Sequence, residues 1–187
     1  MIALVRTGSP ATPVVTPAEV KLYGRISTSA QDAMLTELIE AATAAVEEMT
    51  NRSLISQTWK YVLRGFEGLG IKLPKPWLQS VTSVQYLDTM GVLQTVDPGI
   101  YQVSTVQEPG EIRLKPGYLW PAVGIGYAEP VTITYVAGYG SNPDDIPQRI
   151  RQAVIALSVF WYDNGVESPM PEGIRRALDN YQVFYEV

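Results

Sequence analysis

The chain's 187 residues suit one domain or two small ones, and a chain of this size buries about two thirds of its unfolded surface without disulfide staples. It contains neither Cys nor His, which excludes a disulfide framework, thiolate chemistry, Ser-His and Cys-His nucleophile pairs and ordinary zinc sites; only carboxylate, Lys, Tyr or oxygen-ligated metal chemistry remains. The 14 basic and 19 acidic residues, net charge −5, argue against a protein that grips nucleic acid, which needs cations to displace counterions from phosphates, but not against one that lets DNA pass.

The N-terminal "MIALVRTGSPATPVV" has a short apolar start without the long apolar core of a signal peptide, and nowhere do about 18 apolar residues run together. The expectation is a soluble protein made in the cytoplasm, with no membrane partner. Three segments follow: 1–52, an N-terminal arm and helices; 53–140, rich in strand patterns; and 141–187, helical again with a distinctive tail.

The three prolines of "SPATPVVTP" (9–17) predict an extended arm. Thr16, Pro17 and Glu19 then form a capping-box pattern that starts a short helix, ended by "GRISTS". Ser29 is the expected start of a longer helix over about 30–50. Its stripe of Met34, Leu35, Leu38, Ile39, Ala42, Ala45, Val46 and Met49 recurs at spacings of three and four, the signature of one core-facing side. Asp32, Glu37, Glu40, Glu47 and Glu48 supply all its charge.

The middle segment alternates. "TWKYVLRGF" places Trp59, Tyr61 and Leu63 on one face and Lys60, Val62 and Arg64 on the other. "VTSVQYLDTMGVLQTV" predicts a hairpin around Asp88-Thr89-Met90-Gly91. "GIYQVST" and "GEIRLKPG" predict a second pair through Glu108-Pro109-Gly110. "VTITYVAGYG" closes the segment, with Val131, Ile133 and Tyr135 on one side. Prolines fall between these runs, where they interrupt no ladder. Five to seven strands in a small antiparallel sheet or sandwich are expected.

In the last segment Asp145 is the expected cap of a helix with Pro147 in its first turn and Gln148 completing a capping box. Ile150, Ala153, Val154, Leu157, Phe160 and Trp161 form its apolar face, and Asn164-Gly165 stops it. "PEGIRRALDNY" gives a final short helix. The fold class is therefore α+β: a small helical bundle from both ends of the chain, with an inserted antiparallel β domain.

Candidate chemistry is sparse. Strand, Gly138-Tyr139-Gly140, then helix outlines a phosphate-binding site, but no Lys follows the glycines, and Asp144-Asp145 would repel phosphate at a helix N-terminus they already satisfy. The junction reads as a corner. Asp144-Asp145 and Glu47-Glu48 are adjacent acids, ordinarily caps or solvated faces; a glycosidase holds two carboxylates across a cleft. A Ca²⁺ loop is absent. No catalytic, cofactor-binding or metal residue is assigned. The acidic helix face is either a solvated exterior or the lining of a passage where like charge keeps DNA from sticking. Tyr181, Val183, Phe184, Tyr185 and Val187 form an aromatic, apolar tail beyond the last helix, which either folds back on its own domain or binds a partner.

Taken in order, "VTPAEVKLYGRIS", "DAMLTELIEAATAAVEEMTNRSLISQTW", "IKLPKPWLQSVTSVQYLDTMGV", "VTITYVAGYG", "IPQRIRQAVIALSVFWYDN" and "PEGIRRALDNY" closely resemble the head–tail connector, or adaptor, proteins of tailed bacteriophages and gene transfer agents. The resemblance runs from about Val15 to Tyr185. It implies a structural virion protein at the head–tail junction, a helical bundle with a β insert. Such proteins form a ring, typically of twelve copies, beneath the portal protein, through which genomic DNA passes without specific binding. It implies as partners the portal, a neck or tail-completion protein and further copies of this chain, and it transfers no catalytic residue and no cofactor. The tail, Tyr181 to Val187, occupies the place where relatives attach to the portal, and Glu37, Glu40, Glu47 and Glu48 are candidates to face the channel. Two other classes compete: a binding module holding a glycan or peptide on Trp77, Trp120 and Tyr118, and a carboxylate-dependent hydrolase using Asp144 and Asp145.

Overall fold

The computed structural model describes residues 2–8 and 10–184. They form two compact units. Residues 10–55 and 139–184 make a helical unit; residues 2–8 and 56–138 make a β unit. The fold is α+β. Among the described residues, no helix is long and apolar enough to cross a membrane.

The helical unit contains α1 (Pro17–Gly24), α2 (Asp32–Thr50), α3 (Gln148–Asn164) and α4 (Glu172–Leu178). At the start of α1 the Thr16 hydroxyl accepts from the Glu19 N–H (3.3 Å), and the Glu19 carboxylate accepts from the Thr16 N–H (2.7 Å), completing the expected capping box. Val15, just before the cap, and Val20, one position beyond Glu19, are both buried in the same core, the arrangement of a hydrophobic staple. The end of the 9–17 segment is thus packed into the fold. Val14 and Val15 are core residues, because an apolar pair beside a cap gains about 1.5–3 kcal/mol per side chain on burial. Arg151 on α3 ties this corner together: Nη2 meets Glu19 at 2.6 Å and Nη1 meets Asp144 at 3.0 Å. Burial works to raise the Glu19 carboxyl, but the Thr16 hydrogen bonds and the Arg151 charge outweigh it and hold the group below its ordinary value.

Leu35, Leu38, Ile39, Ala42 and Val46 of α2 face the core, as the stripe predicts, with Ile150, Val154, Leu157 and Leu178 from α3 and α4. Met34, at the edge of the stripe, is exposed. Two starts differ from expectation. Ser29 does not cap α2; its carbonyl accepts from the Asp32 N–H in a turn, and the helix begins after Gln31 without a side-chain cap. Nor does Asp145 cap α3. Its carboxylate turns back to the Asn142 N–H (3.1 Å) and closes a short 3₁₀ turn, Pro143–Asp145, while α3 starts only at Gln148, after the buried Ile146 and then Pro147.

The β unit contains β1 (Ala3–Arg6), β2 (Gln57–Leu63), β3 (Gly70–Lys72), β4 (Leu78–Leu87), β5 (Leu93–Thr95), β6 (Tyr101–Ser104), β7 (Glu111–Leu114) and β8 (Val131–Ala137). Two antiparallel sheets result, in the orders β1-β2-β8-β4-β5 and β3-β7-β6. Both expected hairpins form, as β4–β5 and β6–β7. The strand at residues 3–6 is an addition to the sequence reading: its four residues pair with β2, Leu4 opposite Tyr61. Strand β8 is central, with Val131, Ile133, Tyr135 and Ala137 all buried and the intervening residues half-buried. Their face shares one core with Ile71, Tyr101 and Ile112 of the smaller sheet, the sandwich expected. Val62, assigned to the outer face of β2, is buried as well.

A buried acid sits in the smaller sheet. Glu111 accepts from Gln107 (2.8 Å) and Arg113 (3.1 Å) and pairs in register with Lys72. Its carboxylate lies where a side chain at Gly70 would go, so any larger residue there would have to displace it. Burial pushes its carboxyl up, but the Arg113 and Gln107 hydrogen bonds and the Arg113 and Lys72 charges prevail and hold it below the ordinary value. A carboxyl so lowered stabilises the fold above the unfolded-chain value of about 4.3, and that contribution fades as pH falls through the lower folded value. Glu111→Gln is expected to cost about 1–2 kcal/mol at neutral pH and to flatten the acid limb of stability between about pH 5 and 3. Urea unfolding of both proteins across that range measures it; parallel pH profiles would refute it.

Candidate assembly surfaces

The acids of α2 divide by position. Glu37, Glu40 and Glu48 are exposed, and with Ala33 and Ala44 they recur at spacings of three and four, so they share one face opposite the buried stripe. Glu47 lies off that face and is half-buried. Its Oε1 accepts from the Leu54 N–H at 2.8 Å, which satisfies the backbone just after the helix. It is therefore committed to the fold rather than free to line a passage. The acidity of the chain is concentrated in this unit: seven basic and twelve acidic residues among its described positions, against seven and six in the β unit.

The tail also divides. Asp179–Tyr181 form a 3₁₀ turn, and the chain then folds back on the end of α2. The Val183 N–H donates to the Thr50 carbonyl (3.1 Å), Asn51 Nδ2 donates to the Val183 carbonyl (3.2 Å), and Arg52 Nε donates to the Tyr181 carbonyl (2.6 Å). Val183 is 8% exposed and Tyr181 is half-buried, whereas Phe184 is 86% exposed. Tyr185 and Val187 lie outside the described residues. The root of the tail therefore folds back on its own unit, and Phe184 faces outward.

The junction is a corner. A Cβ at Gly140 would overlap the Asp145 carboxylate, so glycine is needed for close approach to an acid rather than to a phosphate. Asp144 is spent on Arg151 and Asp145 on the Asn142 backbone, so neither carboxylate is poised over a cleft. The aromatic platform is likewise spent: the Trp120 ring stacks on Phe66 (4.6 Å between centroids, 11° between planes), and its indole N–H donates to the Gly68 carbonyl (3.1 Å). Trp77 is half-buried and only Tyr118 is well exposed.

One surface was not foreseen. The β4–β5 tip exposes Met90, Val92 and Leu93, and the loop between β7 and β8 exposes Leu119, Ile125 and Tyr127. The loop is fastened to the hairpin by the Gly124 N–H to the Leu87 carbonyl (2.9 Å), with the Tyr127 ring lying against Gly91. An open groove of about 750 Å³ runs beside it, lined by Arg64, Phe66, Trp120, Val123 and Tyr127 among others. Its only sequence signal was apolar residues inside a Gly- and Pro-rich segment of unusual length.

Comparison with known proteins adds to this geometry. The sequence profile of the family described as head completion protein matches residues 13–184. The fold is similar over 99% of this chain and 97% of the other to a protein in the neck of an empty gene transfer agent particle computed with C6 symmetry, at TM-score 0.81 and 25% identity. It is also similar to a chain of the virion of a native gene transfer agent particle (TM-score 0.80, 24% identity, 98% and 97% of the two chains). A third likeness is to a chain of the neck of a native particle computed with C12 symmetry (TM-score 0.76, 22% identity, 99% and 97%). At those lower identities the last two speak for the fold alone. No curated protein sequence matches the chain. With the profile spanning nearly its whole length and the fold of a neck protein matched from end to end, the chain belongs to the head completion protein family and is a structural protein of the head–tail junction.

Proposed function

We propose that copies of this chain close into a ring of twelve beneath the portal, extend the DNA channel and present a surface to the next neck or tail-completion protein. The observation that carries this is the end-to-end similarity to a chain of a particle neck computed with rotational symmetry. The role is mechanical rather than catalytic. Folded copies accumulate in the host cytoplasm and join the virion at the vertex. The exposed acids Glu37, Glu40 and Glu48 face the passage, where their charge keeps the genome from adhering. The chain from Phe184 onward engages the portal, and the apolar end of the β unit meets a neighbour or the neck protein below.

The test is mass by light scattering, first of the purified protein and then with the portal from the same particle. A ring alone, or a monomer that joins the portal as a ring, supports the proposal. A monomer that ignores the portal at high concentration overturns it.

A further inference from the structure

We infer that Asn51 and Arg52 are positioning residues for the C-terminal segment: they hold its root so that Phe184 stands outward from the helical unit at a fixed point. The inference rests on the reading that this segment engages the portal. Three bonds reach two tail residues, Tyr181 and Val183, from three consecutive residues, Thr50 to Arg52, at the end of α2. Each end of the Val183 peptide unit is addressed: its N–H by the Thr50 carbonyl and its carbonyl by the Asn51 amide. Arg52 is 5% exposed although charged, and its guanidinium lies over the Tyr139 ring, 5.9 Å from the centroid. A cation this buried is costly to hold unless it is paired and oriented, and its Nε donates to the tail backbone.

The three bonds take hold of the tail's main chain and so set where its root runs. The transition at Val183 is sharp, from a buried side chain to the outward Phe184 within one residue. A segment whose root is already held spends less conformational entropy on docking than one that must be gathered from solution. The exposed aromatic ring is the first group such a segment presents.

Asn51 allows a clean test. Its backbone is left-handed (φ 57°), a conformation glycine adopts freely, so Asn51→Gly keeps the helix stop and removes the amide that holds Val183. Hydrogen exchange at the Val183 amide is expected to quicken about fivefold, with exchange in the middle of α2 unchanged. Binding to portal-bearing heads that lack this protein is expected to weaken by about fivefold or more. A chain ending at Val183 serves as the second variant and is expected to abolish that binding while the Val183 amide stays protected. If Asn51→Gly quickens exchange but binds normally, while the shortened chain does not bind, the positioning role is overturned and the portal reading stands. If the shortened chain binds as well as the full one, the portal reading itself falls, and the inference with it.

Discussion

Tyr135→Ala is expected to remove about 3–5 kcal/mol from the β unit, a large part of the 5–15 kcal/mol that holds a typical domain together. Tyr135 is the largest fully buried side chain, on the central strand between Trp59 of β2 and Val81 of β4. Truncation there leaves a ring-sized void with sheet on both sides and little freedom to collapse. Its hydroxyl also donates to the Pro74 carbonyl (2.8 Å), which fixes the segment between β3 and β4. Tyr135→Phe keeps the ring and removes the hydroxyl with that bond, so it should cost about 1 kcal/mol. Hydrogen exchange distinguishes the levels: amides of β2, β4 and β8 should lose protection in the alanine variant, while those of α2 and α3 keep theirs. A loss under 1 kcal/mol would show that the sandwich core relaxes around the site. Equal loss in the helices would show that the two units unfold together.

Reversing the acidic face should have the largest functional effect. Glu37, Glu40 and Glu48 are exposed, so changing all three to Lys is expected to alter the stability of one copy by about 0.5 kcal/mol or less per site. In a ring the change is multiplied by the copy number. Six or more new phosphate contacts would give a ring that binds a short DNA duplex tightly at 50 mM salt and loses about a thousandfold in affinity by 200 mM. Particles assembled with it should release their genome slowly. The corresponding glutamine variant removes charge without adding any and should bind far more weakly, which separates attraction from lost repulsion. A Lys ring that ignores DNA at low salt would place this face outside the channel. The proposal for these acids would then have to be abandoned, while the family assignment would be unaffected.

Much of the fold was written in local pattern. The Thr16–Glu19 capping box, the α2 stripe apart from the exposed Met34, the hairpin around Asp88–Gly91 and the alternation of β8 appear in the structure as read, because each depends on residues within one turn of helix or one pleat of strand. The order of phrases along the chain also carried the family, which the profile over residues 13–184 bears out. What could not be read is what depends on distant partners. Ala3–Arg6 is a strand only because β2, more than 50 residues on, offers it an edge. Asp145 had the spacing of an α3 cap, yet the turn at Pro143 gave its carboxylate a nearer N–H. Glu47 and Glu48 are neighbours of identical chemistry, and only the path of the chain after Arg52, which brings the Leu54 N–H to Glu47, makes one structural and leaves the other exposed. The tail is the strongest case. Composition marked Tyr181, Val183 and Phe184 as awkward in water but could not divide them. The division is made by Arg52, 129 residues before the carbonyl it holds, because a hydrogen bond depends on separation in space and is indifferent to separation along the chain.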